Sequence, residues 1–172
     1  MALVDLTRDY NKIYTGSVTF PTSMTLWVSY APLSAQPVST PYTINQGTWY
    51  MITGTVNTSA ECIYLDGSST CTTGTTAEFL QLGGSIGGGD SCGLPFNGSI
   101  ANVQIYNTSL SSSEVSALYL EGIGGAPIYL QNLVDWWPLN GNPNDYSGNN
   151  NIANTVLGLF VPGTIDGLVI ST

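Results

Sequence analysis

Histidine is absent from this 172-residue chain, and only two residues, Arg8 and Lys12, are basic. Without histidine there can be no Ser–His or Cys–His pair, in which imidazole takes the proton from the attacking group. Eleven acidic residues against two basic ones leave a net charge of −9. A chain this poor in Lys and Arg has little to set against phosphates. That excludes nucleic acid as a partner and disfavours anionic membrane surfaces. Charge of either sign is scarce, at 8% of residues against about 25% in ordinary domains. No apolar run approaches the roughly 18 residues of a spanning helix, so no membrane insertion is expected. Ser, Thr, Asn and Gly must supply the polar surface, as in secreted β-rich proteins, and an extracellular, cell-surface location is expected. Met1-Ala-Leu-Val-Asp5 has neither the basic start nor the apolar core of a secretory leader, so either a leader has been removed or Met1 is not the natural start.

Paired acids are also lacking. Sugar hydrolysis needs two carboxylates close together. Here the acids are scattered, and none lies two residues from another on an expected strand. The glycine-rich stretch 83–93 has neither the lysine nor the following helix of a phosphate loop. With no His and no CxxC, a Cys/His metal site is not expected. The chain therefore reads as non-enzymatic, with no cofactor.

The most informative stretch is Phe96 to Gly122, where the hydrophobic period changes midway. Ala101, Val103 and Ile105 alternate with Asn102 and Gln104, the pattern of a strand with one face buried. Ser111 and Glu114 then form a capping box, and Leu110 and Val115 stand at staple positions. Gly122 is placed to stop the helix in a left-handed conformation, which predicts one short helix near 111–121. Elsewhere the signals are strands and turns: Met24–Tyr30 alternates, Thr48–Val56 is bulky on both faces, and Phe79–Leu82 is a short strand. Strands spaced by turns argue for a sandwich.

Ala60 to Thr73 reads as a hairpin with Asp66-Gly67 at its turn. Counting outward from that turn, Cys62 faces Cys71 on a non-hydrogen-bonded pair, where side chains come closest. A cross-strand disulfide is expected, and with it an oxidising compartment or a hyperthermophilic source. The alternative is two reduced, half-buried thiols. Cys92 is left over, as a free thiol, a competing partner or an intermolecular link.

The segment from Phe96 through Tyr119 resembles the closing part of laminin-G-like domains of the concanavalin A-like lectin/glucanase superfamily. Trp49-Tyr50 with Thr55, Tyr64-Leu65-Asp66-Gly67, Gly83-Gly84 and Phe96-Asn97-Gly98 continue the likeness in order. The resemblance implies an all-β fold, a jelly-roll, concanavalin A-like antiparallel β-sandwich. Leu133 to Asn151 resembles the opening of the same domain type, yet here it comes last. Phe160–Gly163 and Gly167–Ile170 look like its continuation, and Ala2–Leu6 like the strand after that. The order is thus permuted: 1–122 an incomplete body, 123–132 a linker, 133–172 the complementing strands.

Two paths follow. The linker turns back and the chain completes its own sandwich, or it leaves and completes a neighbour's. The second is donor-strand complementation, a head-to-tail homo-oligomer that builds a pilus-like extracellular filament if it does not close. The candidate donor residues are Ile128, Leu130, Trp136, Trp137, Leu139, Val156, Leu157, Leu159, Phe160, Leu168 and Ile170. The filament subunit is the favoured expectation; a monomeric or tandem-array carbohydrate-binding or adhesion module is the alternative. Surface glycans are then candidate ligands, with Trp27, Trp49, Trp136 and Trp137 as stacking platforms, although strand tryptophans more often belong to the core. Asn144, Asp145 and Asn149, with Asp90, offer oxygens that calcium could take; the plainer reading is an Asx-turn. Sequons at Asn57, Asn97 and Asn107 are candidate glycosylation sites, the first and last in loops.

Overall fold

The computed structural model describes residues 2–5, 12–15, 23–29, 38–43, 47–73, 85–86, 99–151 and 169–171, with side chains in 47–73, 86 and 99–151. Among the described residues, eleven strands and one α-helix run in chain order: β1 (Ala2–Asp5), β2 (Lys12–Thr15), β3 (Ser23–Ser29), β4 (Val38–Thr43), β5 (Ile52–Val56), β6 (Ala60–Leu65), β7 (Ser68–Thr73), β8 (Ser85–Ile86), β9 (Val103–Tyr106), α1 (Ser112–Glu121), β10 (Leu133–Trp137) and β11 (Val169–Ser171).

The chain groups into two compact units. The first spans 1–48, 56–63 and 70–98. Its main sheet has the order β4-β3-β2-β1-β8, every neighbour antiparallel. The expected Met24–Tyr30 strand is β3, which pairs Leu26 with Thr40 on one side and with Thr15 on the other. The expected strand at Phe79–Leu82 lies outside the described residues.

The second unit spans 49–55, 64–69 and 99–172. Its sheet has the order β10-β9-β11. β10 runs antiparallel to β9, with Leu133 opposite Tyr106 and Trp136 opposite Gln104. β11 runs parallel to β9, with Ile170 opposite Ile105. This pair is a parallel exception within the expected antiparallel fold; a parallel pair needs a long crossover, and β9 and β11 are far apart in sequence.

The meander β5-β6-β7 contributes residues to both units. The expected strand at Thr48–Val56 begins only at Ile52. Every residue of β5 is buried, as its bulk on both faces implies. Between β6 and β7, Asp66 (φ 50°) and Gly67 (φ 81°) both take positive φ, the requirement of a two-residue hairpin turn that matches strand twist. Cys62 and Cys71 form the expected disulfide, with Cα atoms 4.0 Å apart.

Helix α1 starts where the capping box places it. The Ser111 amide donates to Glu114 Oε2 at 2.6 Å, and the Glu114 amide to Ser111 Oγ at 3.4 Å. Leu110 and Val115, the staple pair, are both buried. Gly122 ends the helix at φ 74°, ψ −175°. The φ is positive as expected, but the ψ lies outside the left-handed helical region, in one that glycine alone occupies readily.

One expectation fails instructively. Alternation puts Asn102 and Gln104 on a solvent face of their strand, yet they are 5% and 1% exposed. Both faces of β9 are covered, one by apolar packing and the other by a polar network. The strand also starts late, at Val103, because Asn102 sits at φ 50°, a conformation asparagine tolerates better than most residues.

Candidate functional site

Asn102 is the hub of the second unit. Its Nδ2 donates to the carbonyls of Ile123 (3.0 Å) and Gly125 (3.2 Å). Its Oδ1 accepts from Gln104 Nε2 (3.0 Å) and Trp136 Nε1 (2.8 Å). The Tyr106 hydroxyl donates to Gln104 Oε1 at 2.8 Å and meets the Ile128 backbone. Burial raises the Tyr106 pKa, more than that backbone contact lowers it, so the phenol stays protonated as a donor. Residues 102, 104 and 106 thus form a ladder that satisfies itself in the interior, as buried polar groups must. It ties three things to β9: the linker, β10 and the strand's own polar face.

The linker therefore returns. Gly125 donates its amide to the Gly122 carbonyl at 2.9 Å, and a Cβ at Gly125 would collide with Glu121 Cβ and press on the Gly122 carbonyl. Only glycine permits so close an approach. The Tyr129 hydroxyl hydrogen-bonds Glu114, fastening the far end of the linker to the first turn of α1.

This fold-back builds one wall of an open cleft of about 320 Å³. Asn102 and Gln104 form its floor. Leu118, Tyr119, Glu121 and Gly122 line it from the end of α1, and Ile123, Gly125 and Ala126 from the linker. The remaining side comes from Trp49, Tyr50, Met51 and Asp66. Asp66 fixes that side by accepting the Met51 amide on Oδ1 (2.8 Å) while its own amide donates to the Met51 carbonyl (2.9 Å). Trp49 is 38% exposed and Tyr119 43%, so the cleft has two aromatic surfaces open to solvent.

Of the tryptophans expected as platforms, Trp49 alone is exposed among the described side chains. Trp136 is half-buried, bonded to Asn102 and edge-on to Tyr146 with ring centroids 6.1 Å apart. Trp137 donates to the Asn151 carbonyl at 3.0 Å. Both are structural, and the side chain of Trp27 lies outside the described residues.

Among the donor-strand candidates, Trp136 and Trp137 lie on β10 and Ile170 on β11, both paired with β9 of the same chain. Ile128 and Leu139 are half-buried, whereas Leu130 is 67% exposed. Val156, Leu157, Leu159, Phe160 and Leu168 lie outside the described residues.

The calcium candidates organise a turn. Asp145 Oδ1 accepts from the amides of Trp136 (3.0 Å) and Ser147 (2.8 Å), and Oδ2 from the Asn151 amide (2.9 Å) and Ser147 Oγ (2.9 Å). Burial would raise its pKa, but these bonds outweigh burial and lower it. Asn149 Nδ2 donates to the carbonyls of Leu133 and Val134, where β10 carries a register irregularity. Asn144 is exposed, its amide bonded to Asn142 Oδ1. Asp145 makes an Asx-turn onto the Ser147 amide, whereas Asn149 bonds the strand backbone instead; Asp90 lies outside the described residues. The turn also meets Asp135, which no sequence pattern marks; its pKa is raised by burial and by the nearby charge of Asp145, against a 2.7 Å bond from Asn151.

Asn57 is exposed and closes the β5–β6 turn by accepting from the amides of Ser59 and Ala60. Asn107 is exposed and bonded to Asn132. Asn97 and Cys92 fall outside the described residues. The Asn102 hub has no local signal: 102, 104 and 106 share one face of the strand, and what covers that face comes from 123, 125 and 136.

Strands in sheets with, among the described residues, one short α-helix, a disulfide-locked hairpin and an aromatic-rimmed cleft have the makings of a lectin-type domain. A laminin-G family model, described as the concanavalin A-like lectin/glucanases superfamily, matches residues 4–116. The chain belongs to that superfamily, and its fold is of that jelly-roll class. No curated protein and no solved structure gives a significant match. Among the described residues, no helix is long and apolar enough to cross a membrane.

Proposed function

We propose that the chain is an extracellular, non-enzymatic laminin-G-like recognition module, for carbohydrate binding or adhesion, completed by its own residues 133–172. The observation that carries this reading is the clamp at Asn102, which bonds both the returning linker and Trp136 of β10. The disulfide agrees with export to an oxidising compartment. The chain has no histidine, and the two adjacent carboxylates, Asp135 and Asp145, serve the turn that holds β10 rather than an open surface. The test is paired: size-exclusion chromatography with light scattering gives a monomer, and a glycan array gives selective retention. A blank array across neutral, acidic and amino glycans removes the carbohydrate reading.

One observation favours a second reading. Both neighbours of β9 come from residues 133–172, so the body 1–122 needs that segment from some chain. Exchange of the segment between copies would give the head-to-tail filament, with 123–132 as the connector. Regular polymers in negative stain that vanish on deletion of Leu133–Thr172 support exchange; a stable monomer at all concentrations removes it.

A further inference from the structure

The unit that builds the cleft contains no Lys, Arg or His: Arg8 and Lys12 both lie in the other unit. The cleft nevertheless brings two carboxylates, Asp66 and Glu121, beside two exposed aromatics, Trp49 and Tyr119. Its helical side is the C-terminal end of α1, whose last turn has no basic residue. Carbonyls at a helix C-terminus carry partial negative charge and favour cations. An aromatic face does the same through its quadrupole. Three independent features of one small cleft therefore select the same sign of charge.

That sign decides among ligands. An anionic sugar would meet two carboxylates and a helix carbonyl end, with no counter-charge from the unit that builds the cleft. A neutral sugar would gain stacking and hydrogen bonds alone. A cationic ring gains all three. The volume, about 320 Å³, is at the lower end for small-molecule sites and suits a single ring.

We propose that this cleft binds an amino sugar, its ring against Trp49 and its ammonium beside Glu121 and Asp66 Oδ2. The proposal rests on the reading of the chain as a carbohydrate-binding module and names the ligand class. The returning linker is part of the site, because Ile123, Gly125 and Ala126 form its wall.

The test titrates the whole chain with glucosamine, N-acetylglucosamine, glucose and tetramethylammonium, at low and high salt, reading tryptophan fluorescence and heat. Glucosamine is expected to bind about tenfold more tightly than either neutral sugar and to weaken at high salt. Glu121→Gln should remove most of that preference and Trp49→Ala most of the binding. Both residues are exposed, so the variants should keep the far-UV circular dichroism and the urea midpoint of the parent. Equal affinity for glucosamine and glucose overturns the inference but leaves the module reading standing. Tetramethylammonium binding as tightly as glucosamine overturns the sugar assignment. No binding of any probe overturns the inference outright, and the glycan array then judges the module reading separately.

Discussion

Replacing Asn102 with alanine removes four hydrogen bonds at once: two to linker carbonyls, one from Gln104 and one from Trp136. Each is worth about 1 kcal/mol net, more where a buried group loses its partner. Gln104 is 1% exposed, so its amide cannot turn to water. Alanine must also occupy φ 50°, adding about 1 kcal/mol. The sum, about 5 kcal/mol, approaches the whole stability of a marginal domain. Asn102→Gly loses the same bonds without the backbone penalty and should be less destabilised by about 1 kcal/mol. The assay is urea unfolding followed by tryptophan fluorescence, paired with chymotrypsin cleavage after Tyr129 in the linker. The alanine variant should unfold at markedly lower urea and be cut faster at the linker. If it unfolds within about 1 kcal/mol of the parent, or the linker is cut no faster, the clamp does not hold the C-terminal segment.

Glu61 is 1% exposed with Oε1 unpartnered, and burial raises its pKa to about 7 from 4.5. A raised acid pKa means that the folded state holds the proton more tightly, so stability is greatest below pH 4.5, falls as pH rises to about 7, and is level above. The loss is about 3 kcal/mol at most; urea midpoints at pH 5 and pH 8 should differ in the parent and coincide in Glu61→Gln. Asp145→Ala strands the Trp136 and Ser147 amides, for about 3 kcal/mol or a drop in Tm of roughly 6–12 °C by calorimetry. Because the Asp145 pKa is lowered, its contribution is present above the ordinary carboxylate range and fades as pH falls through that lowered value; the Tm gap between parent and alanine variant should close in acid. Reducing the Cys62–Cys71 bond opens a short loop and should cost about 2.5 kcal/mol, read as a shift of the urea midpoint with and without dithiothreitol.

Local signals were legible in the sequence. The Ser111–Glu114 box and the Leu110–Val115 staple lie within six residues, and the helix begins where they place it. Asp66-Gly67 sets the register of its hairpin, so the Cys62–Cys71 pairing followed by counting. Asn102 was not legible, because its partners at 123, 125 and 136 are remote in sequence and alternation alone says nothing of what covers the second face. Trp49 and Trp136 are chemically the same. One became a rim of the cleft and the other a strut only through tertiary position, and no pattern around either residue announced the difference.

The sheet order β10-β9-β11 also has a consequence in time. β9 leaves the ribosome before either strand that flanks it. At about 5–20 residues per second, the chain needs roughly 2–6 seconds to add the residues from Tyr106 to Trp137, and longer to reach β11. For that interval β9 has two open edges and a polar face without its partners. Until then those edges stay open to any strand able to pair with them, and the sheet order forms only once residues 133–137 and 169–171 have followed.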